Sequence, residues 1–257
     1  MPLQCESYAL SHQGLVRLNN EDYWARIPDE NFFIVADGMG GHRAGEVASK
    51  ETSRILCELC KEILITDPDE EQTAQEARHL LCLLIEDVNR QIYKLARSNK
   101  KYKGMGTTLC CSYLCGEQLV YAHVGDSRIY LLRDGKLKQL TKDHSLARRL
   151  MDMGQLNEKN RKAFAYKNII TRAIGLEDVV EPSVSITDVL PGDQFLLCTD
   201  GLSDMVSDEE IEAIVNDCNN DGSTLEEISS ALIDKAIKLG GKDNVTVMML
   251  GFKGDED

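Results

Sequence analysis

In FFIVADG, residues 32–38, an apolar run goes straight into Asp37 and Gly38, which is the chemistry of a buried strand ending in a carboxylate. Behind it, Ala48, Thr52, Ile55, Leu56, Leu59 and Ile63 recur at the spacing of one helical face and predict a long amphipathic helix. An acidic, proline-containing break, TDPDEEQ, follows, and Leu81, Leu84, Val88, Ile92 and Leu95 predict a second helix of the same kind. Strand patterns then come in quick succession: TTLCCSYLCG, QLVYAHVGD and RIYLLRDGKLKQL, the last with an Asp134–Gly135 hairpin turn, so an antiparallel meander is expected. HSLARRLMDMG interrupts as a short helix before a polar loop, after which VSITDVL, QFLLCTDG and NVTVMMLGF return to strand patterning. One further helix is periodic at Leu225, Ile228, Leu232 and Ala236. These elements do not alternate as strand and helix, which favours antiparallel sheets with helices outside over a doubly wound parallel sheet.

Composition narrows the class. A chain of 257 residues can bury a substantial core, and we read residues 1–257 as one domain. The N-terminus MPLQCESYALSHQG has neither a basic region nor an apolar export core, and no window reaches the ~18 apolar residues of a membrane span, so a soluble, cytoplasmic protein is expected. The nine cysteines are odd in number and several sit inside strand or helix patterns, which suits reduced thiols better than disulfides. Cys57 and Cys60 form a CxxC within a helical pattern without a second pair, so buried thiols are favoured over a structural zinc. A formal net charge of −14 argues against nucleic acid as a partner. Residues 142–172 depart from that balance, with eight Lys and Arg against three carboxylates, and read as the chain's basic segment.

FLLCTDG, residues 195–201, repeats the grammar of FFIVADG, so Asp200 echoes Asp37; Asp126 follows LVYAHVG, and Asp243 precedes NVTVMML. Any one of these is ordinarily a turn residue. Four together, if the strand ends converge, would repel one another unless a cation held them, and a hard divalent ion with oxygen ligands is the natural one. Gly38 and Gly201 would let backbone carbonyls turn toward such an ion. GMGGHR lacks GK[ST] and is no phosphate-binding P-loop. Carboxylates around an open site suggest two-metal hydrolysis. SHQGLVRLNNED adds Arg17, whose planar fork suits a phosphate, close to Glu21 and Asp22; a solvated acidic turn with a surface arginine is the alternative.

Taken in order, SHQGLVRLNNED, FFIVADGMGGHRAGE, GMGTT, AHVGDSR, TKDHSL, TRAIG, CTDGLSD and GKDNVTV resemble the PPM family of metal-dependent protein phosphatases, the type 2C class in its compact bacterial form, over nearly the whole chain. The resemblance implies an α+β fold, a four-layer αββα sandwich of two antiparallel sheets flanked by helices, with a flap at about residues 144–172 beside a binuclear Mn or Mg site. It implies hydrolysis of phosphoserine and phosphothreonine in proteins by a metal-activated water, with no phosphoenzyme. By motif position, Asp37 would bridge both metals, the Gly38 carbonyl would ligate one, and Asp200 and Asp243 would complete the pair. Glu21 would act through water, Asp22 behind it, and Arg17 would hold the phosphate. Asp126 matches a third metal position that shares Asp200. The implied partners are phosphoprotein substrates and a bacterial Ser/Thr protein kinase, with the chain a monomer and no nucleic acid or membrane involved.

Two departures from the family pattern matter. The animal form has a histidine directly after the DG, a candidate acid for the leaving alkoxide; here that place is Met39, and His42 lies three residues on, so no general acid is assigned. Many bacterial members also place a histidine in the flap, where this chain has Phe164. The cations of residues 142–172 suggest a flap that steers acidic substrates toward the metals. Competing readings are an inactive phosphoprotein-binding module, against which Asp37, Asp200 and Asp243 are all present, and a phosphatase with a phospho-aspartate. The second usually has two aspartates one residue apart, whereas Gly38 and Met39 follow Asp37.

Overall fold

The structure, a computed structural model, describes residues 3–27, 31–40, 44–64, 72–157, 160, 164–166 and 168–254. Its strands are β1 (Leu3–His12), β2 (Asp22–Ile27), β3 (Phe32–Met39), β4 (Gly106–Thr107), β5 (Leu109–Cys115), β6 (Gln118–Val124), β7 (Arg128–Arg133), β8 (Lys136–Gln139), β9 (Ser183–Asp188), β10 (Gln194–Cys198) and β11 (Val245–Gly254). The helices are α1 (Ala44–Leu59), α2 (Ala74–Ser98), α3 (Leu146–Asp152), α4 (Asp200–Ser203), α5 (Asp208–Asn220) and α6 (Leu225–Lys238). One sheet runs β1-β11-β10-β7-β8 and the other β2-β3-β5-β6-β9 with β4 beside β3, every pair antiparallel.

Three apolar layers hold this stack together, and the unbroken apolar runs explain them. Along β3, Phe32 and Ile34 face α1 and α2 while Phe33 and Val35 face the other sheet. Along β10, Leu196 and Cys198 pack with α5 and α6 while Phe195 and Leu197 meet β3's sheet from the opposite side. Both strands are interior to their sheets and covered on both faces, so neither alternates. The order is helices, sheet, sheet, helices: the αββα sandwich. No helix among the described residues is long and apolar enough to cross a membrane.

Two expectations need correction, and three elements went unanticipated. Helix α1 does not continue its face to Ile63, because residues Cys60–Leu64 form a π turn; the extra residue per turn rotates Ile63 out to 41% exposure and brings Cys60 and Leu64 inward. The run of hairpins is not one meander: β5 and β6 lie in one sheet and β7 and β8 in the other, the chain crossing at residues 125–127. That crossing is where Asp126 sits. Finally, β1, β2 and α5 carry no expectation from the apolar pattern, yet β1 pairs along its whole length with β11. The Asp134–Gly135 hairpin is as expected, both residues at positive φ (51° and 73°).

Candidate active site

Strands β2 and β3 pair in a register that sets Asp22 directly opposite Asp37. The Asp37 backbone is clamped by GMGTT: its N–H donates to Thr108 Oγ1 (2.9 Å), and its carbonyl accepts from Thr108 N (2.8 Å) and Thr107 Oγ1 (2.8 Å). Thr108 Oγ1 in turn lies 2.7 Å from Ser127 Oγ, which ties Asp37 to the sheet-crossing turn that carries Asp126. Gly38 has a reason besides carbonyl freedom: a Cβ there would run into the carbonyl oxygens of Gly45 and Glu21. Gly201 is similarly pressed against the Asn244 carbonyl, which brings the end of β10 onto the start of β11.

Asp22 is buried, and its Oδ2 accepts hydrogen bonds from Thr199 (2.9 Å) and Thr246 (2.7 Å). Its Oδ1 is buried with no partner among the described residues. Burial, with a smaller contribution from the negative Asp200 and Asp243, pushes its pKa up to about 7 against the two hydroxyl bonds. The Asp37 carboxyl is likewise raised, by burial first and then by Asp22, Asp200, Asp126 and Asp243. Burial and Asp200 raise Asp126. In all three, burial comes first and the neighbouring carboxylates add to it.

Arg17, Glu21, Asp37, Gly38, Asp200 and Asp243 line one open cleft of about 700 Å³, with Val16, Leu18, Ile170 and Leu176 as its apolar wall. Asp22 and Asp126 do not line the cleft, but both lie within electrostatic reach of Asp200. Arg17 closes on Asp243 at 2.6 Å, both side chains partly exposed. Among the described residues, no three His, Cys, Asp or Glu side chains close on one point at ligating distance. His42 lies outside the described residues.

The sequence pattern overlooked Asn244. Its Oδ1 accepts from Glu21 N (2.8 Å), and its Nδ2 donates to the carbonyls of Gln13 (2.8 Å) and Asn19 (2.9 Å), so one amide pins the loop that presents Arg17 and Glu21. The Thr107, Thr108, Thr199 and Thr246 hydroxyls were missed too. Only their place inside GMGTT, CTDGLSD and GKDNVTV signalled them, since a hydroxyl leaves no periodicity.

The protein phosphatase 2C family profile matches residues 10–245. The chain belongs to the protein phosphatase 2C family. It is a phosphoprotein phosphatase, 39% identical over 241 residues to the Listeria monocytogenes serine/threonine phosphatase stp, covering 93% of this chain and 92% of that one. Among solved structures, the Mycobacterium tuberculosis serine/threonine phosphatase PstP/Ppp superposes with a TM-score of 0.86 at 36% identity, covering 97% of this chain and 99% of its own. The catalytic domain of PstP in complex with two manganese ions superposes at 0.84 with 35% identity, covering 98% and 100%.

In this phosphatase the segment expected as a flap has its two ends joined by an antiparallel contact, its root: Leu146 N donates to Ile169 O (2.8 Å) and Thr171 N to His144 O (2.7 Å). Beyond the root, Asn168 and Ile170 reach the cleft. Phe164, in place of the flap histidine of many bacterial members, packs edge-to-face on Tyr166. Three cations of the basic segment 142–172 are paired locally, Lys142 and Arg148 with Asp152 (2.8 and 3.1 Å) and Arg172 with Glu181 (3.0 Å); Lys159, Arg161, Lys162 and Lys167 lie outside the described residues.

His144 at the root stacks on His123, ring centroids 4.5 Å apart, with Nδ1 accepting from Gly125 N (3.2 Å) and Nε2 beside Ser183 Oγ (3.0 Å). Burial, then the His123 ring and the Arg172 charge, push its pKa down to about 3, Asp143 opposing. A histidine held below its unfolded pKa of about 6.5 stabilises the fold above that pH and loses the contribution as pH falls toward about 3. Thermal unfolding from pH 7 to 4.5 should therefore show His144→Gln losing less stability than the parent. The raised carboxylates titrate with the opposite sign, so the difference between the two proteins is the quantity to read. A parallel pH dependence in both would sink this account of the flap root.

Proposed function

We propose that this phosphatase hydrolyses phosphoserine and phosphothreonine in proteins at a pair of divalent ions, Mn or Mg, in the cleft that Asp37, Asp200 and Asp243 line. The observation that carries this reading is the placing of Asp37, Asp200 and Asp243 on one cleft, with Asp22 and Asp126 within electrostatic reach of it and Asp22, Asp37 and Asp126 raised by burial first and neighbouring carboxylates second. The donor set fits a hard cation: it is all oxygen, and Asp22 Oδ1 is buried without a partner. Asp37, the Gly38 carbonyl, Asp200 and Asp243 would hold the ions, with Glu21 reaching them through water, Asp22 behind, and Asp126 with Asp200 at a third position. When bound, such ions supply an activated water and neutralise phosphate charge.

The chain's own residues do the rest. Arg17, half exposed on the cleft rim, has the bidentate fork to grip the phosphate and is displaced from Asp243 when it does. Asn244 fixes the loop that aims it. The apolar wall at Val16, Leu18 and Leu176 accepts the substrate's carbon skeleton. The implied counterpart is a Ser/Thr protein kinase, and residues 1–257 act as one monomeric catalytic unit in the cytoplasm.

Purified protein stripped with EDTA should release no phosphate from a phosphothreonine peptide, regain turnover with Mn or Mg, and lose it again in Asp200→Asn. Full activity after stripping would remove the two-metal reading. A folded protein inactive with every metal would turn the reading to a phosphoprotein-binding module.

A further inference from the structure

Residues 142–172 are not the only cationic stretch. Between Asp87 and Glu117 stand Arg90, Lys94, Arg97, Lys100, Lys101 and Lys103 with no carboxylate among them, in a chain of net charge −14. Helix α2 ends there, and Asn99 turns the chain by accepting from Lys101 N (3.0 Å) into a 3₁₀ turn over Lys100–Tyr102. The turn gathers Arg97, Lys100 and Lys103 around a cavity of about 550 Å³ that Tyr93 and Leu176 also line. The Arg97 guanidinium is held over the Tyr93 ring, 4.6 Å from its centroid. None of Arg97, Lys100 and Lys103 pairs with a carboxylate among the described residues, unlike Lys142, Arg148 and Arg172.

This cavity adjoins the catalytic cleft. Leu176 lines both. Gly40, on the cleft side, presses so closely on the cavity side that a Cβ would lie 2.7 Å from Met105 Cα and 3.0 Å from Gly104 O. A peptide lying across the cleft therefore passes from the carboxylate cluster to three uncompensated cations over one leucine.

We propose that the Arg97–Lys100–Lys103 cavity is a subsite for aspartate or glutamate side chains flanking the scissile phosphoresidue, on one side of it. This rests on the phosphatase reading of the cleft. Its volume is in the range that takes a side chain or two. The charge argument decides the occupant: a chain this acidic repels an acidic peptide at long range, so acceptance of one needs a local reversal of sign, and this cavity supplies it beside the site.

The test compares three phosphothreonine peptides, with neutral flanks, with glutamates on the N-terminal side, and with glutamates on the C-terminal side, on Mn-loaded wild type and Lys100→Ala/Lys103→Ala. A small aryl phosphate serves as the control. The expected result is a kcat/KM roughly 3–10-fold higher for one of the two acidic peptides, the scale of a few partly exposed ion pairs. That preference shrinks with added salt and disappears in the double variant, while the neutral peptide and the aryl phosphate are turned over as before. Absence of any acidic preference in wild type, equal preference for both flanks, or a preference the double variant retains overturns the subsite while leaving the phosphatase reading intact. Failure to hydrolyse even the aryl phosphate overturns that reading, and the subsite with it.

Discussion

Asp37→Asn is expected to lower phosphate release from a phosphothreonine peptide by at least ~10²-fold, the scale on which even partners one step removed from a metal act. The same variant should unfold in EDTA at a temperature no lower than the parent, and higher if relief of repulsion dominates. Both follow from one geometry. Asp37 ends a strand buried on both faces, opposite Asp22, with Asp200, Asp126 and Asp243 all raising its pKa after burial itself. An amide removes a charge the metal-free fold holds at a cost, and its backbone clamp of Thr107 and Thr108 does not involve the side chain. A gain of about 1 kcal/mol would move Tm by ~2–4 °C in a chain of this size. Manganese should raise the parent's Tm by mass action and the variant's far less. Activity within a few fold of wild type would end the assignment of Asp37 to the metal centre. A large loss of Tm in EDTA would show instead that the carboxylate is structural.

The sequence pattern exposed those elements whose burial is extreme. β3 and β10 are read from their apolar runs because both faces are covered, and α2 because Leu81, Leu84, Val88 and Ile92 are all buried on one stripe. β1 is a sheet-edge strand, partly exposed along its length, and LQCESYALSH carries no strong alternation. Helix α5 buries only Ile211 and Val215, too few positions to mark a period, and is announced chiefly by its capping box of Ser207 and Glu210. The π turn at Cys60–Leu64 shifts a face in a way no fixed period contains. At the site, the carboxylates stood out because each ends an apolar run or begins one. Asn244 and the four threonines act through hydrogen bonds to atoms distant in the chain, and only the fold brings those partners together. The cationic stretch of residues 88–116 was passed over in favour of residues 142–172, because its charges lie on a helix end and a turn and only the cavity beside the cleft gives them a meaning.

Asp143→Ala should destabilise the protein by about 3–5 kcal/mol, the usual cost of stranding one member of a buried ion pair. Arg128 and Asp143, 4% and 6% exposed, form a two-pronged pair, Nε to Oδ1 at 2.9 Å and Nη2 to Oδ2 at 2.7 Å. Gln139 Nε2 also donates to Asp143 (2.9 Å), and Arg128 Nη1 donates to the Tyr130 hydroxyl (2.9 Å), itself bonded to Asp208 (3.0 Å). Removing the carboxylate leaves a buried guanidinium that cannot lose its proton, with the half-exposed Asp208, 3.7 Å from Nη1, as its remaining counter-charge. The pair also has a place in the chemistry. Arg128 follows the turn that carries Asp126, and Asp143 precedes His144, whose N–H donates to Gly125 O at 2.8 Å, so one ion pair joins the sheet-crossing turn to the flap root. Chemical denaturation of Asp143→Ala, Arg128→Met and Arg128→Met/Asp143→Leu separates the possibilities. Each single change should be costly, and the double change should recover much of the loss because no charge is left unpaired. Single variants within about 1 kcal/mol of wild type would show that water reaches the pair and that it holds neither segment. If the double variant regains stability but not turnover, the pair's contribution to catalysis is the register between the Asp126 turn and the flap.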